Sequence, residues 1–152
     1  LKKILVIQTA SIGDVILSTP VIESLHSKFP DAKIDFLLKK GTDSLFKAHP
    51  FLNQVIVWDK SKHKYPNFLK ILKNIRQTHY DYVINIQRFA STGFLTVFSH
   101  AQTSIGFDKN PFSLFFTQRI RHIISEKETP LHEVDRNLLL VSGTGRKSTK
   151  IY

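Results

Sequence analysis

The residues best suited to chemistry stand close together near the start of the chain. The apolar run Ile4-Leu5-Val6-Ile7 is followed by Thr9, Ser11, Gly13 and Asp14. An unbroken apolar run entering a polar turn marks a strand buried on both faces of a parallel sheet. Sites in open parallel sheets form at the carboxyl ends of such strands. A carboxylate there can act as a general base, taking the proton from a substrate hydroxyl. Asp14 also has a structural reading: Ser11-x-x-Asp14 matches a capping box, and an acid in the first turn complements the helix dipole. The two roles are compatible. A dinucleotide cradle is disfavoured, because Gly13 alone stands where GxGxxG is needed and an acid at the turn repels phosphate. Gly143-Thr144-Gly145-Arg146-Lys147-Ser148 lacks the spacing of a phosphate loop, and no strand leads into it.

Alternating strand and helix segments must position these groups. Strands are expected over residues 3–9, 33–38, 54–58, 81–87, 103–107 and 120–124. Helices are expected from the turn at 10–14 to residue 29, and over 41–48, 65–78, 90–100 and 130–142. Pro20 either starts a new helix capped by Thr19 or kinks one helix. Phe68, Ile71, Leu72 and Ile75 form a helical stripe, with Lys70, Lys73 and Arg76 off it. The order implies an α/β fold with a doubly wound, mainly parallel sheet. The expected domain spans 1–142, and the polar, basic stretch 143–152 reads as a linker or frayed tail.

The 152 residues carry 22 Lys and Arg against 12 Asp and Glu, a formal charge of +10. Hydrophobic content of 41% fits a globular domain and excludes disorder. Cys is absent, which excludes disulfides and Cys-ligated metal sites. No apolar run approaches a membrane span or a secretory signal, so the expected location is cytoplasmic. Met is absent too, so Leu1 is not expected to be the native first residue. The basic residues cluster in acid-free windows, notably Lys60, Lys62, Lys64, Lys70, Lys73 and Arg76. Such windows suit an anionic partner: a phosphorylated substrate, an anionic membrane or nucleic acid. Nucleic acid is disfavoured by the lack of a recognised binding motif.

Gln87 and Arg88 lie at the carboxyl end of the fourth strand, a cleft-lining place or a solvated loop. His132 and Arg136 are four apart on one helix face, as site residues or as a capped helix with an ion pair to Glu133 or Asp135. Trp58 reads as packing. Phe112, Phe115 and Phe116 read as core, or as contacts to a lipid-linked molecule. The histidines show no metal-ligand spacing.

The stretch from Lys3 to Ile22, with Gly13-Asp14 ahead of Thr19-Pro20, resembles the start of family 9 glycosyltransferases, the ADP-heptose:lipopolysaccharide heptosyltransferases. The likeness recurs at Phe29-Pro30-Asp31, Tyr80-Asp81-Tyr82, Ile105-Gly106-Phe107-Asp108 and His132-Glu133-Val134-Asp135-Arg136, covering about 3–141. The resemblance implies the acceptor-side, N-terminal half of a GT-B architecture: two Rossmann-like domains across a cleft. It implies inverting transfer of heptose from ADP-heptose to a lipopolysaccharide inner-core hydroxyl, without a metal or other cofactor. The nucleotide-sugar donor would be a co-substrate held by a second domain that these residues do not contain, so this chain alone is expected to be inactive. Asp14 falls on the family's base, with Ser11 and Gly13 shaping its turn. Lys60, Lys62, Lys64, Gln87, Arg88, His132 and Arg136 would hold the anionic acceptor. Peripheral contact with the inner face of the inner membrane follows from such an acceptor. The competing reading is a non-catalytic basic module that binds phosphorylated glycans or an anionic membrane surface.

Overall fold

The computed structural model describes residues 2–120 and 130–144, with backbone alone over 130–132. Six strands form one sheet: β1 (Lys3–Ile7), β2 (Lys33–Lys39), β3 (Gln54–Trp58), β4 (Tyr82–Asn85), β5 (Thr103–Phe107) and β6 (Gln118–Ile120). Their order is β3-β2-β1-β4-β5-β6, and every neighbouring pair is parallel. The helices are α1 (Ile12–Lys28), α2 (Lys64–Thr78), α3 (Ala90–Val97) and α4 (Pro130–Leu138). The expected doubly wound parallel sheet is therefore the observed one.

Strand alternation divides the core in two. Ile4, Val6, Ile34, Phe36 and Ile84 face α1, where Leu140 and Val141 also pack. Leu5, Ile7, Leu37 and Val83 face α2 and α3, meeting Ile71, Leu72, Ile75 and Leu95. The central strands read as unbroken apolar runs because both faces are covered. Asp35 is the exception on β2, buried at 3% exposure. Asn53 Nδ2 and Gln54 Nε2 each donate to its carboxylate at 3.0 Å, and the Tyr80 hydroxyl donates to it as well. This set of bonds satisfies a buried charge and ties the approaches of β3 and β4 to β2.

Several element boundaries differ from expectation. Helix α1 runs through Pro20 without a break. Val21, Ile22 and Leu25 beyond it are fully buried, so packing outweighs the one main-chain bond that proline forfeits. The stretch 41–48 holds a single 3-10 turn, Asp43–Leu45. Gly41, at φ 102°, reverses the chain there, and its N–H donates to the Asp43 carboxylate at 3.0 Å. Helix α4 ends at Leu138, ahead of a 3-10 turn at Val141–Gly143. Gly143 and Thr144 are buried, and Lys28 Nζ donates to the Thr144 carbonyl. The last strand spans Gln118–Ile120, and the rest of the expected 120–124 strand lies outside the described residues. Phe116 is core, but Phe115 is 70% exposed because it lies within a surface 3-10 turn. No helix among the described residues is long and apolar enough to cross a membrane.

Candidate functional site

Strand order determines where a site can form. The chain leaves β1 for β2 and β3, then returns to lay β4 on the other side of β1. The carboxyl ends of β1 and β4 therefore diverge into a crevice, the usual ligand position in such sheets. A cavity of about 130 Å³ lies there, lined among others by Gln8, Asp14, Gln87, Arg88, Glu133 and Arg136.

The turn after β1 presents Asp14 to this cavity from the first turn of α1. Ser11 is the N-cap residue, but its side chain makes no cap hydrogen bond. Its hydroxyl instead donates to Asp14 Oδ2 at 2.8 Å. The expected capping box is thus replaced by a side-chain pair that orients the carboxylate. Gly13 leaves open space, since a Cβ there would meet nothing within 4 Å. Gln8 is buried and braces α1: its Nε2 donates to Ser18 Oγ at 3.1 Å, and Ser18 Oγ donates to the Asp14 carbonyl at 2.8 Å.

The β4 side supplies Gln87 and Arg88. Gln87 Oε1 accepts from Thr9 N at 2.9 Å and from Thr9 Oγ1 at 2.8 Å. The Thr9 N–H identifies the oxygen of the carboxamide, which leaves Gln87 Nε2 buried without a partner among the described residues. Asn137 Nδ2, also at the cavity, is in the same condition. Buried amide donors rarely go unsatisfied, and these two are free to serve an acceptor-bearing ligand in the cavity. Asn110 shapes the loop that carries Arg88. Its Nδ2 donates to the carbonyls of Gln87 and Phe89, at 3.2 and 3.1 Å. Gly93 makes room for it, because a Cβ there would lie 2.2 Å from Asn110 Oδ1.

Helix α4 brings Glu133 and Arg136 over the same crevice, one turn apart. Burial, and next the charge of Asp14, push the Glu133 carboxyl above its ordinary pKa, while Arg88 opposes the shift. Burial and then Arg88 draw Arg136 below its ordinary value. Two carboxylates and two guanidiniums thus share one small space. His132 lies on α4, but its side chain is outside the described residues.

The three loop lysines separate. Lys60 Nζ donates to the Thr9 carbonyl at 3.1 Å and lies 4.8 Å from the Trp58 ring centroid, so it reaches the end of β1. Burial first, then Lys39 and Lys64, lower its pKa. Asp59 orders this loop by accepting from the hydroxyl and N–H of Ser61, and these bonds draw its own pKa down to about 2. Lys62 is exposed, and Lys64 borders a different, apolar cavity beside Trp58. Asp14, Gln87, Arg88 and Arg136 therefore converge, with Ser11 and Gly13 behind Asp14 and Lys60 at the edge. The sequence reading missed Gln8, Glu133 and Asn137 as site residues. For Gln8 a signal existed, a polar residue ending an apolar strand; Glu133 and Asn137 become visible only through the packing of α4.

No family model matches the chain. Over 117 residues the chain is 31% identical to lipopolysaccharide heptosyltransferase 3 of Escherichia coli, covering 74% of this chain and 34% of that protein. The chain spans about a third of the length of that relative. Further relatives include a second E. coli lipopolysaccharide heptosyltransferase 3, 38% identical over 82 residues, 49% of this chain and 23% of that protein. Among solved structures, a family 9 glycosyl transferase from Veillonella parvula superposes with a TM-score of 0.82 at 23% identity, over 97% of this chain and 43% of that one. An E. coli heptosyltransferase solved with ADP-2-deoxy-2-fluoro heptose gives 0.74 at 23% identity, over 97% of this chain and 50% of that one. These likenesses show that the heptosyltransferase-like chain has the fold of roughly half of such a protein.

Proposed function

We propose that this chain is the acceptor-side half of an inverting glycosyltransferase that moves heptose from ADP-heptose to a hydroxyl of the lipopolysaccharide inner core. The single observation that carries the reading is the crevice at β1 and β4. There a carboxylate held by Ser11 faces two guanidiniums and two unpartnered amide donors. That arrangement suits a polyhydroxylated, anionic sugar: guanidiniums for its charged groups, amides for its hydroxyl oxygens, and Asp14 for the reacting hydroxyl.

In the proposed step, Asp14 accepts the proton of the acceptor hydroxyl. The freed oxygen forms a bond to the anomeric carbon of the donor, and the bond from that carbon to the diphosphate oxygen breaks. ADP leaves with its electron pair, and attack opposite to it inverts the centre. Ser11 holds Oδ2, so Oδ1 is the oxygen offered to the substrate. Gly13 keeps the turn low enough for the sugar to approach. The donor site belongs to a second half outside this sequence, the reaction needs no metal or other cofactor, and the protein works in the cytoplasm.

The test has a binding part and a turnover part. Inner-core oligosaccharide titrated into this chain should shift the side-chain amide resonances of Gln87 and Asn137. Arg88→Ala with Arg136→Ala should weaken binding by about tenfold or more, and Asp14→Asn should leave it nearly intact. In a polypeptide that joins this chain to a donor-binding half, Asp14→Asn should lower kcat by about a hundredfold or more with KM little changed. Absence of glycan binding, or full turnover in Asp14→Asn, would overturn the reading. The isolated chain should show no transfer.

A further inference from the structure

The two faces of the sheet differ in electrostatic character. Helix α1 mixes Asp14 and Glu23 with Lys28, and α4 mixes Glu133 and Asp135 with Arg136. The other face has no acid on either helix: α2 carries Lys64, Lys70, Lys73 and Arg76, and α3 carries none. The loop before α2 adds Lys60 and Lys62. Asp59 and Asp81 bracket this whole stretch, and no other acid occurs until Asp108.

The same face exposes large apolar side chains. Tyr65 is 75% exposed and Leu69 62%. With Lys73 and Arg76 they fall at i, i+4, i+8 and i+11, one stripe along α2. Phe98, at the end of α3, is 42% exposed and packs its ring 4.5 Å from Phe94, which in turn lies 5.7 Å from Phe68 of α2. Arg76 reaches across to the His100 ring at 2.8 Å, so the stripe on α2 and the end of α3 form one continuous surface. An apolar cavity of about 410 Å³ opens between the two helices, walled by Trp58, Phe68, Phe94 and Phe112 with Lys64 and Tyr65 at its rim.

We propose that the α2–α3 face is a docking surface for an anionic phospholipid bilayer. Charge complementarity selects the partner: basic side chains flank an exposed aromatic and aliphatic stripe with no carboxylate among them, the pattern of a helix lying in a membrane interface. Tyr65, Leu69 and Phe98 would enter the headgroup–acyl boundary while Lys70, Lys73 and Arg76 meet the lipid phosphates. A protein partner would call for complementary acids but not for anionic lipid. The surface lies beside the sugar crevice and stands independently of the sugar-transfer reading.

The test is co-sedimentation of this chain with vesicles free of lipopolysaccharide, made of phosphatidylcholine alone or with phosphatidylglycerol. Binding should require phosphatidylglycerol and fall at high salt. Lys70→Glu with Lys73→Glu should weaken it by about thirtyfold. Tyr65→Ser with Leu69→Ser, both exposed and so compatible with the fold, should weaken it by about tenfold at unchanged charge. Lys33→Glu with Lys47→Glu makes the same charge change away from this face and should cost about threefold or less. No binding to phosphatidylglycerol vesicles would overturn the proposal, as would equal losses from the two lysine pairs or full binding by the Tyr65, Leu69 variant. Binding of single-stranded DNA without vesicle binding would overturn it in favour of a general polyanion surface. A dimer in sedimentation velocity that Leu69→Ser dissociates would assign the face to a second copy of the chain.

Discussion

The carboxamide oxygen of Gln87 accepts two hydrogen bonds from Thr9, one from its main-chain N–H at 2.9 Å and one from its hydroxyl at 2.8 Å. One side chain from β4 thereby closes the floor of the crevice against the end of β1. Gln87→Leu should cost about 1–3 kcal/mol, because it leaves a buried N–H unpaired. Gln87→Glu should keep most of that stability, since a carboxylate accepts the same bonds. It should nonetheless lose glycan affinity, because it removes the amide donor. Urea unfolding and glycan titration on the two variants separate these effects.

Gly93 and Asn110 form a second coupled pair. Gly93→Ala forces a Cβ against Asn110 Oδ1 and should cost about 1–3 kcal/mol. Asn110→Ala should cost a similar amount by freeing the carbonyls of Gln87 and Phe89. The double variant should be destabilised by less than the sum, because the clash disappears with the amide. Chemical denaturation of the two single variants and the double variant measures the coupling.

Glu133 gives stability a pH signature. Its folded pKa lies above the ordinary carboxylate value, mainly through burial and then through Asp14. A raised folded pKa means that its favourable contribution is present at acid pH, below the unfolded value, and is lost as pH rises through the folded value. Glu133→Gln should therefore raise the urea midpoint at pH 7 relative to wild type. The gain should shrink below about pH 4. An equal gain at both pH values would mean that the Glu133 charge is not disfavoured in the fold.

Tyr80 is held by Asp35, and burial first and then that bond push its phenol well above the ordinary range. Of the four tyrosines, this one should stay protonated in an alkaline absorbance titration until the protein unfolds. Tyr80→Phe should cost about 1–3 kcal/mol, because the buried Asp35 carboxylate loses one of its donors.

Much of the fold was legible along the chain. Strands at 54–58 and 103–107 match the expected bounds, and the helical stripe Phe68, Ile71, Leu72, Ile75 lies where its period places it. Burial of one helix face leaves a periodic mark, and burial of both strand faces leaves an unbroken apolar run; neither needs tertiary knowledge. The differences fall where tertiary contacts override local signals. Pro20 is absorbed by a helix whose inner face is buried, and Phe115 lands on the surface beside buried Phe116, whereas Gly41 and Asp43 tighten a short segment into a turn by a local bond.

The sequence by itself determined the order of strands and helices, the turn that presents Asp14, and the acid-free basic window around α2. Those are properties of neighbouring residues and of the side chains they carry. Only the tertiary structure decided that β4 lies beside β1, and therefore that Gln87 meets Thr9 across 78 positions. It also decided that Glu133 and Arg136 close over Asp14, and that Lys60 turns inward while Lys62 does not. Convergence of that kind depends on how the crossover connections stack helices on the sheet. No spacing along the chain encodes it, because the groups concerned come from segments that meet only when the core is packed.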